Sequence, residues 1–262
     1  MARITQLSRR ALIGQACAAL LASSAHADTP PRTLKPGVLR IGTYFVNPPF
    51  EFIAGHRRVG FEVDLMDAIA RRLALRANFV DTRWEVILRQ MQENRYDCIV
   101  GGITITPRRQ EVLAWSVPYM TTTLSLVVNE RRTPPTATLA DLTTATVGVQ
   151  AATTDYDAAV AMQRSGAIGN VKVYPFALIG NAITDLKAGR IGAVMKVYPV
   201  AAWLARTTPG LRILGQVPDD PQPLGIGFNR DNPDLLAAVN RALSDMQRDG
   251  SYAALAQHWG VP

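Results

Sequence analysis

The chain has 262 residues, 48% of them hydrophobic and 19% charged, with a formal net charge of +7. That length allows one large domain or two ordinary lobes, and the composition is globular rather than disordered or membrane-spanning. Residues 1–27 hold Arg3, Arg9 and Arg10 and no acid, so the remainder has 25 basic against 21 acidic residues, a net of +4; its arginines are scattered rather than clustered, which argues against nucleic acid as a partner.

The first element is a basic stretch, MARITQLSRR, followed by an apolar run at residues 11–22 that is too short to span a bilayer. Ala25-His26-Ala27 supplies small residues where a signal peptidase cuts, so residues 1–27 read as a secretory signal and the mature protein as a soluble chain starting at Asp28. Ser8-Arg9-Arg10 fits a twin-arginine export signal and equally an ordinary one with two arginines. Gly14-Gln15-Ala16 before Cys17 is a poor lipobox, which leaves Cys98 as the one cysteine of the mature chain, a small buried hydrophobe with no disulfide partner.

Leu39 to Gly42 reads as a strand, with Pro48-Pro49 breaking the backbone after it. Residues 61–73 form a helix with Leu65, Ala68, Ile69 and Leu73 on one face. Ala77 to Val80 is a strand, Trp84 to Asn94 a helix with Ile87, Leu88 and Met91 as its stripe, and Cys98 to Val100 a strand. The pattern restarts after the turn-rich Arg131 to Pro135: strands at 147–149, 171–174 and 193–195, with helices after Thr154, at Ile179 to Ala188 and from Pro199 to Arg206. Strands alternating with helices argue for parallel sheets. A strand at Leu224 to Phe228, a helix capped by Asn232-Pro233 and a last helix from Ser251 to Trp259 are too few for a third sheet, so the tail returns to one of the two units.

The most informative stretch is GGITITPRR, residues 101–109. A strand end meets two glycines, and Thr106-Pro107 reads as the cap and first position of a helix. Backbone N–H groups at such a turn, together with an arginine fork, suit a small anion such as a carboxylate. Nothing points to a metal or a cofactor: there is no phosphate-cradling loop, no G-x-S-x-G and no His/Cys cluster at metal spacing.

The order and spacing of PPFEF (48–52), GFEVDLMDAIARRL (60–73), GGITITPRR, Trp115 to Tyr119, VGVQAATT (147–154), LKAGRIGAV (186–194) and DGSYAALAQHWG resemble the periplasmic solute-binding proteins of polar amino-acid ABC transporters. The resemblance runs from Leu39 to Gly260. It implies an α/β fold of the two-lobed periplasmic-binding-protein type II, each lobe a mostly parallel sheet flanked by helices. Lobe 1 would be residues 38–121 plus 224–262, lobe 2 residues 125–221, and a hinge of two crossing strands would lie near 122–125 and 222–225. It further implies a monomer without cofactor that closes on a small carboxylate ligand and is read by an inner-membrane ABC permease.

By that resemblance Arg109 clamps the ligand carboxylate, Gly102 and Thr104 offer backbone groups and a hydroxyl, and Thr153 and Thr154 donate from the second lobe. Trp84 forms the wall for the ligand side chain, with Tyr44 and Asn47 contacting it from the first loop. Arg108 stands where the family often has Glu. The chain departs from the pattern at Val197, where the family usually places the aspartate that receives the ligand α-ammonium, and at Gly192, another missing aspartate. Next door is Lys196, one of only four lysines against 24 arginines. It either reaches the cleft to face a second anionic group or is solvated at a strand end. Asp155 or Glu51 could stand in for the lost acid. The ligand is therefore an amino acid or an amine-lacking organic acid. Two alternatives on the same fold remain, a cyclohexadienyl-type dehydratase and a periplasmic sensor module; the second would need an anchor or output domain beyond Pro262.

Overall fold

The computed structural model describes residues 31–262; the export segment 1–27, its cleavage site and Cys17 lie outside the described residues. In chain order, β1 (Val38–Thr43) is followed by three short strands, β2 (Val46–Asn47), β3 (Glu51–Ala54) and β4 (Arg57–Val59). Then come α1 (Phe61–Arg72), β5 (Arg76–Asp81), α2 (Trp84–Gln92), β6 (Cys98–Ile99), α3 (Pro107–Gln110) and β7 (Ala114–Trp115). The long β8 (Met120–Asn129) leads into β9 (Thr146–Gln150), α4 (Thr154–Arg164), β10 (Asn170–Tyr174), α5 (Ile179–Ala188), β11 (Ala193–Val197) and α6 (Tyr198–Thr207). The longer β12 (Leu211–Leu224) runs back to β13 (Gly227–Phe228), α7 (Pro233–Arg248) and α8 (Ser251–Trp259).

These strands make two five-stranded sheets, β5-β1-β6-β13-β7 and β10-β9-β11-β8-β12, and a small third sheet, β2-β3-β4. In each large sheet the first three strands pair parallel and the outer two antiparallel, so the sheets are mixed and the parallel half is the part built by strand-helix alternation. The expected single strand from Leu224 to Phe228 is two: β12 ends at Leu224 in the second sheet and β13 belongs to the first. At the break, a side chain on Gly225 would meet the Ile105 side chain at 2.6 Å. The segment after Pro48-Pro49 is not a bare turn either, since Val46 to Val59 folds into the small sheet.

The helices follow from their apolar spacing. α1 turns Leu65, Met66, Ala68 and Ile69 inward, with Glu62 and Asp64 in its first turn and Arg71 and Arg72 in its last, each sign complementing the helix dipole. α7 is capped by Asn232, whose side chain accepts from the Leu235 N–H at 3.3 Å, and buries Leu235, Val239, Leu243 and Met246. A charge at Leu243 would leave an unpaired ion in that core. At the chain end β13 sits between β6 and β7 in the first sheet, and the Trp259 indole donates to Asp64 of α1 at 2.8 Å. Cys98 is buried, as expected of a small apolar residue.

Candidate functional site

The two strand-to-helix turns that the sequence singled out face each other. On the first lobe, β6 ends at Ile99 and the chain turns through Gly101 and Gly102, at φ 153° and 60°. A side chain at Gly101 would overlap the Tyr44 phenol, and one at Gly102 would lie 2.9 Å from the Phe50 ring. Only glycine serves both positions. The Gly101 carbonyl accepts from the Tyr44 hydroxyl and, at 3.3 Å, from Asn47 Nδ2. Thr106 then caps α3 by accepting from the Arg109 N–H at 3.2 Å, with Pro107 at the first helical position.

Beneath this turn lies a pair of carboxyl groups. Glu62 accepts from the Gly102 N–H at 3.0 Å and 3.1 Å and from the Tyr119 hydroxyl. Glu51 is fully buried, and neither of its oxygens has a partner among the described residues. Burial, and then the neighbouring Glu62, push the Glu51 carboxyl well above the usual carboxylate range. Gly102 therefore spends its N–H on Glu62, and only its carbonyl is left for a ligand, a correction to the expected free N–H at this turn.

Arg109 leaves the start of α3 and reaches into the cleft. One guanidinium nitrogen donates to the Thr104 carbonyl at 2.7 Å, and the group lies 5.0 Å from the Trp84 ring centroid. No carboxylate pairs with it among the described residues. Burial pulls its pKa down, with Tyr44, Asp157 and Asp155 opposing the shift; an arginine stays charged through such a change. Arg108 is exposed.

On the second lobe, Thr153 caps α4, its hydroxyl donating to the Gln150 carbonyl at 2.8 Å and accepting from the Tyr156 N–H at 3.3 Å. That hydroxyl is committed to the cap and not free to donate to a ligand, again unlike the expectation. The Thr154 and Asp155 N–H groups, in the first helical turn, have no intrahelical partner. Thr154 Oγ1 lies 3.4 Å from Thr104 Oγ1, so the two walls touch, and Thr104 also donates to Gln222 at 3.1 Å.

Lys196 is not solvated at a strand end. It is 4% exposed, and its ammonium bonds Asp155 Oδ2 at 2.8 Å and Gln150 Oε1 at 2.5 Å. Asp155 is 1% exposed. Gln150 uses its other end on the Phe176 carbonyl at 2.5 Å. Phe176 reaches across to the first lobe, where its ring stacks on Trp84 at 5.3 Å and meets Tyr44 edge-on at 4.7 Å. Such pairs contribute about 0.5–1.5 kcal/mol each beyond the area they bury.

One cleft is lined by all ten residues the sequence proposed: Tyr44, Asn47, Trp84, Gly102, Thr104, Arg109, Thr153, Thr154, Lys196 and Val197. Gly101, Ile103, Asp155 and Phe176 complete the lining. Sequence reasoning weighed Asp155 as a substitute acid and missed Phe176 and Gln150. Both follow strand ends of the second unit, Gln150 closing β9 and Phe176 two residues past β10, and that position is the signal that would have found them. A second, more open depression by Trp115, Pro118, Pro223 and Arg230 contains none of the proposed residues. Among the described residues no cluster of metal ligands is present and no helix is long and apolar enough to cross a membrane.

The cleft, the paired sheets and the turn motifs have counterparts in known proteins. The L-cystine-binding protein TcyJ of Escherichia coli (strain K12) is 28% identical over 264 residues, covering 98% of this chain and 97% of its own. An ancestral arginine-binding protein bound to arginine superposes with a TM-score of 0.76 at 30% identity, covering 85% of this chain and 98% of that one. An ancestral amino acid-binding protein described as a precursor of cyclohexadienyl dehydratase gives a TM-score of 0.74 at 30% identity, covering 85% and 95%. The family model for bacterial extracellular solute-binding proteins, family 3, matches residues 39–262, nearly all of the described chain, and the protein belongs to that family.

Proposed function

We propose that this chain is the extracytoplasmic binding component of an ABC importer and holds a small carboxylate in the cleft between its lobes. One observation carries the reading: Arg109 presents a guanidinium to the cleft with no carboxylate partner among the described residues. A half-buried cation without an anion is costly, and a ligand carboxylate would pair with it through two parallel hydrogen bonds. The N–H groups at the start of α4 would meet the same carboxylate from the other side.

The lobes would be residues 38–121 plus 224–262 and residues 125–221, with a hinge near 122–125 and 222–225. In support, β8 and β12 are the strands that run between them, paired as Thr121 to Pro223, Thr122 to Gln222 and Thr123 to Pro221. Closing the lobes completes the ligand's contacts, and only the closed form would be read by the permease. The relatives' names favour binding over catalysis. A dehydratase remains a second reading because Lys196 and Asp155 place a buried proton donor and acceptor in the cleft. Product formation from a cyclohexadienyl acid at catalytic protein concentration would establish it.

The deciding experiment is a thermal-shift screen of amino acids, their deaminated analogues, dicarboxylates and aromatic acids, followed by calorimetry of hits. A ligand at about 100 times its Kd adds about 2.7 kcal/mol of stability. Arg109→Ala should weaken every hit by about 10- to 150-fold and shrink its shift accordingly. Unchanged affinity in that variant overturns the proposal, as does equal binding of an amine that has no carboxylate.

A further inference from the structure

We infer that the ligand is a monocarboxylate without an ammonium group, an organic acid with an apolar body rather than an amino acid. This rests on the reading that Arg109 receives a carboxylate, and it concerns the opposite end of the same cleft.

The donors and acceptors in the lining are unequally used. An ammonium brings three donors and a positive charge, so it needs free acceptors and an anion. The one carboxylate in the lining, Asp155, is paired with Lys196 at 2.8 Å. An ammonium brought to Asp155 would also meet the Lys196 ammonium, a like charge in a poorly solvated place. The Gly101 carbonyl already takes Tyr44 and Asn47, the Thr104 carbonyl takes Arg109, and Gln150 Oε1 takes Lys196. Glu51 offers no substitute: it lies outside the lining, beneath the Gly101-Gly102 turn, and faces Glu62. Val197, where an acid would be needed, is 7% exposed and apolar.

Besides the neutral Gly102 carbonyl and the second oxygen of the already paired Asp155, the groups left over are donors. They are the Arg109 guanidinium, the N–H groups at the start of α4, and the Trp84 indole N–H, which is buried without a partner. The charged side chains of the lining are two cations, Arg109 and Lys196, and one anion, Asp155. A zwitterion leaves that excess positive charge standing, whereas a monoanion cancels it. The rest of the wall is Ile103, Val197 and the rings of Tyr44, Trp84 and Phe176, which suits an apolar body. Lys196 is thus a specificity-determining residue: by pairing with Asp155 it neutralises the one anion of the lining and sets a like charge where an amine would have to sit.

The test is calorimetric titration with compounds that differ in one group: 3-phenylpropanoate against L-phenylalanine, 4-methylpentanoate against L-leucine, and phenethylamine as the amine without a carboxylate. At least one acid should bind about tenfold or more tighter than its amino acid, a difference of about 1.4 kcal/mol. Amino acids binding as tightly as the acids overturn the inference, and so does the failure of both acids to bind. If an amino acid wins and Arg109→Ala weakens its binding about tenfold or more, the inference fails while the carboxylate reading stands. If phenethylamine wins, the carboxylate reading fails with it. Val197→Asp, which supplies the missing acceptor, should shift the ratio toward the amino acid by about tenfold, and an unchanged ratio counts against the inference. Should that variant not fold, Val197→Asn carries the same comparison.

Discussion

The cleft holds two cations, one on each wall, and they are treated in opposite ways. Lys196 of the second lobe is almost completely buried and has its own acid and amide, Asp155 and Gln150, within 2.8 Å and 2.5 Å. Arg109 of the first lobe is half-buried, has only a carbonyl and an aromatic face, and pairs with no acid among the described residues. A charge that is satisfied internally belongs to the architecture, and one that is not is held for a partner. The difference also shows why residue type is a poor guide to role in this cleft: two basic residues line it, and only their surroundings tell them apart.

The sharpest way to break the comparison is to take the acid from Lys196. Asp155→Ala leaves a buried ammonium with one amide oxygen, and removing one partner of a buried pair costs about 3–5 kcal/mol. For a chain of this size each kcal/mol moves Tm by about 2–4 °C, so a fall of roughly 10 °C is expected in calorimetry. Replacing both groups with apolar ones, Asp155→Leu with Lys196→Met, should recover most of the loss. If the single variant melts like the wild type, the pair is not a structural one.

Arg109→Ala should show the reverse profile. Without ligand its loss costs one carbonyl hydrogen bond and the Trp84 contact, an effect of about 1 kcal/mol on unfolding. Ligand affinity should fall by about 1.5–3 kcal/mol, roughly 10- to 150-fold in Kd. Arg109→Lys keeps the charge but loses the fork, so it should fall between the wild type and Arg109→Ala. Equal stability and affinity losses in both the Arg109 and Asp155 variants would erase the distinction drawn between the two cations.

Much of this was legible in the sequence. All ten proposed residues line one cleft because GGITITPRR and VGVQAATT each join a strand end to a helix start, and strand ends of paired α/β units face a common gap. Thr106, Pro107 and Asn232 announced their helix starts by local chemistry alone. What stayed hidden depends on contacts between distant segments. The Lys196–Asp155 pair joins residues 41 positions apart, and no pattern of charge along the chain reveals whether a lysine is paired or solvated. Phe176 crosses to Trp84 from a single 3-10 turn, Phe176–Leu178, that carries no motif. Gly102 and Thr153 were identified as lining residues, but the commitment of their donor groups to Glu62 and Gln150 required three-dimensional neighbours. The small sheet at 46–59 was missed because its strands are two to four residues long, below the reach of periodicity.

Under the first wall, Glu51 extends the comparison to acids. It is a buried carboxyl without a cation, and burial disfavours its ionised form. Its folded pKa lies above the unfolded value of about 4.3. As pH rises past that value the unfolded chain releases the proton while the folded chain retains it, so stability falls with increasing pH until the folded pKa is passed. The slope reaches at most about 1.4 kcal/mol per pH unit. Glu51→Gln keeps the shape and an N–H donor toward Glu62 but cannot titrate. Denaturation between pH 5 and pH 8 should therefore show the variant gaining on the wild type as pH rises, and a constant gap would mean that Glu51 is already ionised at pH 5.

The mildest test sets the buried pair against an exposed one in the same lobe. Asp185 accepts from Lys172 at 2.7 Å, from the Tyr174 hydroxyl at 2.6 Å and from Arg190 at 2.6 Å, and these partners, Lys172 first, hold its carboxyl well below the usual range. Lys172 is half exposed, so water replaces most of what its removal takes away, and Tyr174 and Arg190 remain on the carboxylate. Lys172→Ala should melt close to the wild type, with any difference shrinking at high salt. Lys196 and Lys172 each place an ammonium 2.7–2.8 Å from an aspartate. If substitution at the two sites had equal cost, burial would not be what separates them. An Asp155 effect several times larger than the Lys172 effect would mean that the second wall of the cleft is held shut to a ligand amine by a pair the fold cannot easily give up.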